Sequence, residues 1–108
     1  MLQAIFGNET LEKVMFFLRR NREGYALGIS KKLNLPVSQV QRQLERMEKG
    51  GVFASRMIGR TRVYEIDPRW AFKDQLNALL DAALRAKPIE ELATSYTVRS
   101  RPRQKGKR

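Results

Sequence analysis

The chain has 108 residues with 22 basic and 11 acidic side chains, no cysteine and no histidine, for a formal charge of +11. That length fits one small domain with a single modest core, and a 42% hydrophobic content belongs to globular rather than disordered chains. The missing Cys and His exclude a disulfide framework, a thiolate nucleophile, a His-based triad and a zinc site of ordinary ligands. The carboxylates are dispersed rather than clustered for a nuclease-type metal site. The chain is therefore not expected to be an enzyme, and no cofactor and no metal is implied. The longest apolar run, Val14 to Leu18, is far short of a membrane span. Met1 to Val14 shows no signal-peptide pattern, so a cytoplasmic location and no membrane partner are expected.

In chain order, Asn8 is placed to cap a first helix over 8–22, with Glu9 and Glu12 near its positive end. Leu11, Val14, Met15 and Leu18 have the spacing of one helix face. Phe16 and Phe17 widen that face until the helix is apolar most of the way round, which predicts burial on two sides, one of them against a partner chain. The helix is expected to stop at Gly24. A short second helix is predicted over 26–34, and Pro36 then stands as the first-turn residue of a third over 36–50. Val37, Val40, Leu44 and Met47 form its apolar stripe, which is a core stripe. Ser38, Arg42, Glu45, Arg46 and Lys49 project the other way, with Gln39, Gln41 and Gln43 on the flanks. Residues 52–67 form a hairpin with Gly59 and Arg60 at its tip. Asp67 and Pro68 open a last helix over 68–87, built on Phe72, Leu76, Leu79, Leu80 and Ala83. Asp74 and Asp81 on it are expected to be solvated, and Trp70 and Phe72 to serve core or interface.

Residues 88–108 form a linker and basic tail. Arg99, Arg101, Arg103, Lys105, Lys107 and Arg108 carry +6 with no acid among them, leaving +5 for residues 1–97. Such a segment cannot bury apolar surface. It suits phosphate backbones as an arm; a solubilising tail is the plain alternative.

The predicted fold class is mainly α with a small β-hairpin, in the order of a winged helix-turn-helix. A helix that reads the major groove needs an outer face that is polar and rich in hydrogen-bonding groups. Ser38, Gln39, Gln41 and Arg42 supply it, Gln suiting adenine and Arg suiting guanine. Arg56, Arg60, Thr61 and Arg62 lie in or beside the hairpin, where a wing meets phosphates or the minor groove. Arg42 and Arg46 have an ordinary alternative as solvated residues pairing with Glu45 or Glu48, and Arg60 and Arg62 as charges guarding a strand edge.

The stretch Gly28 to Gly51, with its Lys31-Lys32-Leu33-Asn34-Leu35-Pro36-Val37 turn, resembles the helix-turn-helix core of ArsR/MarR-type winged-helix regulators. With Phe6 to Thr10 and Gly59 to Tyr64 it is similar to small stand-alone winged-helix proteins, some of whose relatives are joined to nucleotidyltransferase domains. The resemblance spans about residues 5 to 85. It implies base reading by Val37 to Arg42, a wing tip at Gly59 to Arg62, and a homodimer through the Leu11–Leu18 and Phe72–Leu84 helices. The chain departs from the family in lacking Cys and His for metal sensing, and in having Pro36 where a capping Ser is usual.

The function expected is sequence-specific binding of double-stranded DNA by a homodimeric transcriptional regulator, with repression as its simplest action. Two helices in successive major grooves predict a pseudo-palindromic site. Neutralising about eight phosphates predicts a log–log salt slope of roughly −7. The alternatives are an RNA- or ribonucleoprotein-binding winged-helix protein, suggested by the basic tail, and an interaction module for a separate nucleotidyltransferase.

Overall fold

Asn8 is extended, and its side-chain Oδ1 accepts from the Leu11 N–H at 2.6 Å, which starts the central helix of the fold. The computed structural model describes residues 1–86; the expected linker and tail, with Arg99, Arg101 and Arg103, lie outside the described residues. The described chain is mainly helical with one two-stranded antiparallel hairpin.

A single turn of helix, α1 (Gln3–Phe6), comes first and is closed by Gly7 at φ 94°. Four residues are too few to show a helical period, so the sequence pattern did not announce it. The Leu2 N–H donates to the Glu12 carboxylate at 2.6 Å, holding this segment on the helix that follows. That helix, α2 (Glu9–Asn21), ends at Arg22 in the left-handed region (φ 76°), two residues before the glycine expected to stop it.

The apolar side chains of α2 from Leu11 to Leu18 are at most 3% exposed. They are covered from every side by the chain itself, because α2 packs against α1, α3 (Ala26–Leu33), α4 (Val37–Lys49), β2 (Thr61–Ile66) and α5 (Lys73–Ala86). The second buried side expected to need a partner chain is thus filled internally, and the Leu11–Leu18 helix has no apolar area left to give to a dimer.

Ile29 and Leu33 anchor α3, whereas Leu27 is exposed. Asn34 takes the left-handed conformation (φ 57°, ψ 51°) at the end of α3. Ser30 closes the turn, its carbonyl accepting from Leu35 N–H at 3.0 Å and its hydroxyl donating to the Leu35 carbonyl. Pro36 is the N-cap of α4 rather than its first-turn residue, and no side chain caps that end. Val40 and Leu44 of α4 are fully buried and Met47 is half-buried. Val37 does not join that core: it is 44% exposed, at the edge of the stripe set by about 100° of rotation per residue.

β1 (Phe53–Ile58) pairs with β2 from Phe53↔Ile66 to Ile58↔Thr61, leaving Gly59 and Arg60 as the loop. Only Gly59 has positive φ (61°), the pattern of a type II′ turn. Gly24 extends the sheet by one residue on the β2 side, through N–H···O bonds of 2.9 and 2.8 Å exchanged with Tyr64. Phe53, Ser55, Met57, Arg62, Tyr64 and Ile66 share one face, and Arg56, Ile58, Thr61 and Val63 are on the other.

The last helix begins at Lys73, not at 68. Asp67 does cap, but it caps a turn: its Oδ1 accepts from Arg69 N–H at 2.9 Å and its carbonyl from Trp70 N–H at 3.0 Å. Leu76, Leu80, Ala83 and Leu84 of α5 are buried, while Phe72 and Leu79 are exposed at 60% and 37%. Trp70 is half-buried against the core, its ring edge-on to Phe72 at 5.6 Å. Asp81 is not merely solvated: it takes both Nε and Nη2 of Arg19, at 2.7 and 2.8 Å, and ties α5 to α2.

Candidate nucleic-acid interface

The buried stripe of α4 fixes which way the rest of that helix faces. Opposite Val40, Leu44 and Met47 stand Ser38, Arg42, Glu45, Arg46 and Lys49, all exposed. Ser38, Arg42 and Lys49 lie on the middle of that outward face, with no hydrogen bond or ion pair among the described residues. The uncapped N-terminus adds the first amides of α4 to this surface, at the positive end of the helix.

The two flanks of α4 are engaged with neighbouring elements. On one, Gln39 accepts from the Thr10 hydroxyl at 3.3 Å, and Gln43 accepts from Asn8 Nδ2 at 3.4 Å and Arg46 Nε at 3.2 Å. On the other, Gln41 Nε2 donates to Glu45 Oε2 at 2.7 Å and to the Tyr64 hydroxyl at 3.4 Å. Further along that flank the Ser55 hydroxyl donates to Glu48, and accepts from Arg62 Nη1 at 2.9 Å. Arg62 and Glu48 thereby link the hairpin to α4.

Burial pushes the Tyr64 hydroxyl above the ordinary tyrosine range, with the Gln41 hydrogen bond opposing and the Glu48 and Glu45 carboxylates reinforcing the rise. At neutral pH it is a phenol, a fixed acceptor for Gln41.

The sequence-derived residues thus separate into groups. Val37, Ser38, Arg42 and Arg46 share the accessible part of α4, with Gln39 and Gln41 held at its margins. Arg60 and Thr61 are exposed at the hairpin tip, and Arg62 is coupled to α4 through Ser55. Arg56 does not join them. It occupies the other hairpin face, paired with Glu23 at 2.6 Å and Glu65 at 4.0 Å, and the Glu23 hydrogen bond raises its pKa. That face borders a cleft of about 500 Å³ against α3, floored by Phe17, Ile29 and Val63.

Lys49 and Glu45 were outward by their spacing but not among the contact residues named from the sequence. Ser55, Tyr64, Asn8 and Thr10 steady the flanks, and only the folded hairpin and the α2 start reveal it. Among the described residues no three His, Cys, Asp or Glu side chains gather to hold a metal ion, and no helix is long and apolar enough to cross a membrane. No protein family, curated protein or solved structure matches the chain.

Such a surface can donate hydrogen bonds in two geometries. Arg42 offers a planar fork suited to two adjacent acceptors. Lys49, Arg60 and the α4 amides suit single anionic oxygens.

Proposed function

We propose that the chain is a winged helix-turn-helix protein that binds double-stranded DNA sequence-specifically and regulates transcription in the cytoplasm, as a homodimer and in its simplest form a repressor. α4 is the recognition helix, in the major groove, and the β1–β2 hairpin is the wing. The observation that carries this is Arg42: central on the outward face of α4, unpaired, and flanked by groups already held by α2 and the hairpin. A guanidinium so placed matches O6 and N7 of guanine. Arg60 at the wing tip and the basic tail supply phosphate contacts that fix register without reading sequence. For the dimer, α5 offers exposed Leu79, the turn just before it offers exposed Phe72, and the α1 segment offers exposed Ile5.

Fluorescence anisotropy with the full chain tests this, using a duplex selected from a random pool, random duplex and structured RNA across a salt series. Arg42→Ala is expected to weaken the selected site by about 1–3 kcal/mol and random duplex far less. Arg60→Ala is expected to weaken both alike and lower the salt slope by about one. Preference for RNA, or an Arg42→Ala effect equal on all duplexes, overturns the proposal.

A further inference from the structure

α4 carries two carboxylates, and the fold treats them differently. Glu48 is half-buried and accepts from Ser55 on the hairpin side. Glu45 is exposed on the outward face, three residues from Arg42. A carboxylate on a surface that meets phosphates is repelled by them, so it lowers affinity for every sequence unless it finds a donor. The major-groove edge offers two such donors, the amino groups of cytosine (N4) and adenine (N6). Adenine sets an acceptor, N7, beside its amino group, which repels the second carboxylate oxygen; cytosine has no such acceptor there.

Glu45 is also aimed. Its Oε2 takes a hydrogen bond of 2.7 Å from Gln41 Nε2, whose other contact, at 3.4 Å, is the hydroxyl of the buried Tyr64. With both its amide hydrogens turned this way, Gln41 has no donor left for N7 of adenine, so it cannot make the bidentate adenine contact that its residue type suggested. It is a positioning residue, and a chain from core phenol to amide to carboxylate holds Glu45 in place. Glu45 and Arg42 are neighbours on the helix surface, about 5–6 Å apart at Cβ, against a base rise of about 3.4 Å.

Resting on the proposed function, we propose that Glu45 is a specificity-determining acceptor that reads a cytosine amino group within one base step of the guanine bound by Arg42. The preferred half-site therefore contains a G and a C contacted by one turn of α4, and Glu45 discriminates chiefly by repelling the acceptor-only edges of G and T.

The test is selection from a randomised duplex pool with the full chain and its Glu45→Ala, Glu45→Gln, Gln41→Ala and Arg42→Ala variants, each first shown to melt within a few degrees of the parent. In the parent, replacing the selected cytosine by thymine is expected to weaken binding roughly 5- to 150-fold, the range of one good base contact. In Glu45→Ala that ratio collapses towards one while the guanine preference persists. Gln41→Ala is expected to reduce the cytosine ratio in part and leave the guanine preference intact, which loss of a merely structural contact would not do. If Glu45→Ala binds all duplexes more tightly and selects the same site, the carboxylate is only repulsive and this inference falls while DNA reading by Arg42 stands. If the parent enriches no duplex sequence, the proposed function falls and takes the inference with it.

Discussion

Two glycines four residues apart should answer the same substitution differently. A Cβ built on Gly24 lies 2.8 Å from Phe17 Cε1 and 3.0 Å from Ile29 Cγ1. Both neighbours are core side chains, at most 3% exposed, whose movement would disturb the packing beneath them. Overpacking of this kind costs about 1–3 kcal/mol, and the backbone can yield only by stretching the two Gly24–Tyr64 bonds, worth about 1 kcal/mol each. Gly24→Ala is therefore expected to lose about 2–4 kcal/mol, a fall in Tm of roughly 8–32 °C for a domain of this size. A Cβ on Gly28 also makes a close contact, 2.9 Å from the Tyr25 ring. That ring is 46% exposed and can swing into solvent, while replacing glycine inside α3 gains about 0.5–1 kcal/mol. Gly28→Ala should stay within about 1 kcal/mol of the parent. Urea unfolding followed by circular dichroism, with thermal melts alongside, measures both. A Gly24→Ala chain as stable as its parent, or a Gly28→Ala chain just as damaged, refutes the distinction between a rigid neighbour and a movable one.

Leu44→Ala, at a fully buried α4 position, is expected to cost about 2–5 kcal/mol in urea unfolding; a loss below about 1 kcal/mol would mean the α4 seat is loosely packed. Asp81→Asn removes the tie between α2 and α5, worth about 0.2–1 kcal/mol for a half-exposed pair. The hydrogen bonds from Arg19 hold the Asp81 carboxyl below the ordinary aspartate range, so the folded chain binds fewer protons there than the unfolded one. Its contribution is full above about pH 4 and is lost as pH falls through the lower folded value. The gap in Tm between parent and Asp81→Asn should accordingly narrow in acid, and a gap that widens there contradicts the sign.

The long helices and the hairpin were legible because each has a period. The α4 stripe repeats every three to four residues, and Gly59 marks a tight turn that few other residues make. The departures occur where a local signal has two meanings. Asp67-Pro68 looks like the start of a helix, yet an aspartate that bonds the amide two residues on makes a turn equally well. The all-round apolar α2 looks like a helix short of a partner; its missing cover comes from α1 and α5, elements distant in sequence or too short to see. At the site, spacing gave the direction of each side chain but not its occupation. Gln41 and Arg42 are adjacent and both polar, and only the hairpin, by bringing Tyr64 alongside, engages the first and leaves the second open. Arg56 and Arg62 likewise look equivalent until the register assigns them to opposite faces.

The two sides of α4 have separate duties, and this bears on how the chain can change over generations. Val40 and Leu44 are fixed by the core, and altering either endangers the fold. Positions 38, 42 and 49 are exposed and make no hydrogen bond or ion pair among the described residues, and replacements at such sites usually shift stability by no more than about 0.5 kcal/mol. Successive substitutions there could give descendants a different chemical surface on an unaltered scaffold, each intermediate still folding. Glu45 is tethered through Gln41 to the sheet, and Arg46 through Gln43 to the start of α2, and so these two would drift more slowly than the other outward residues.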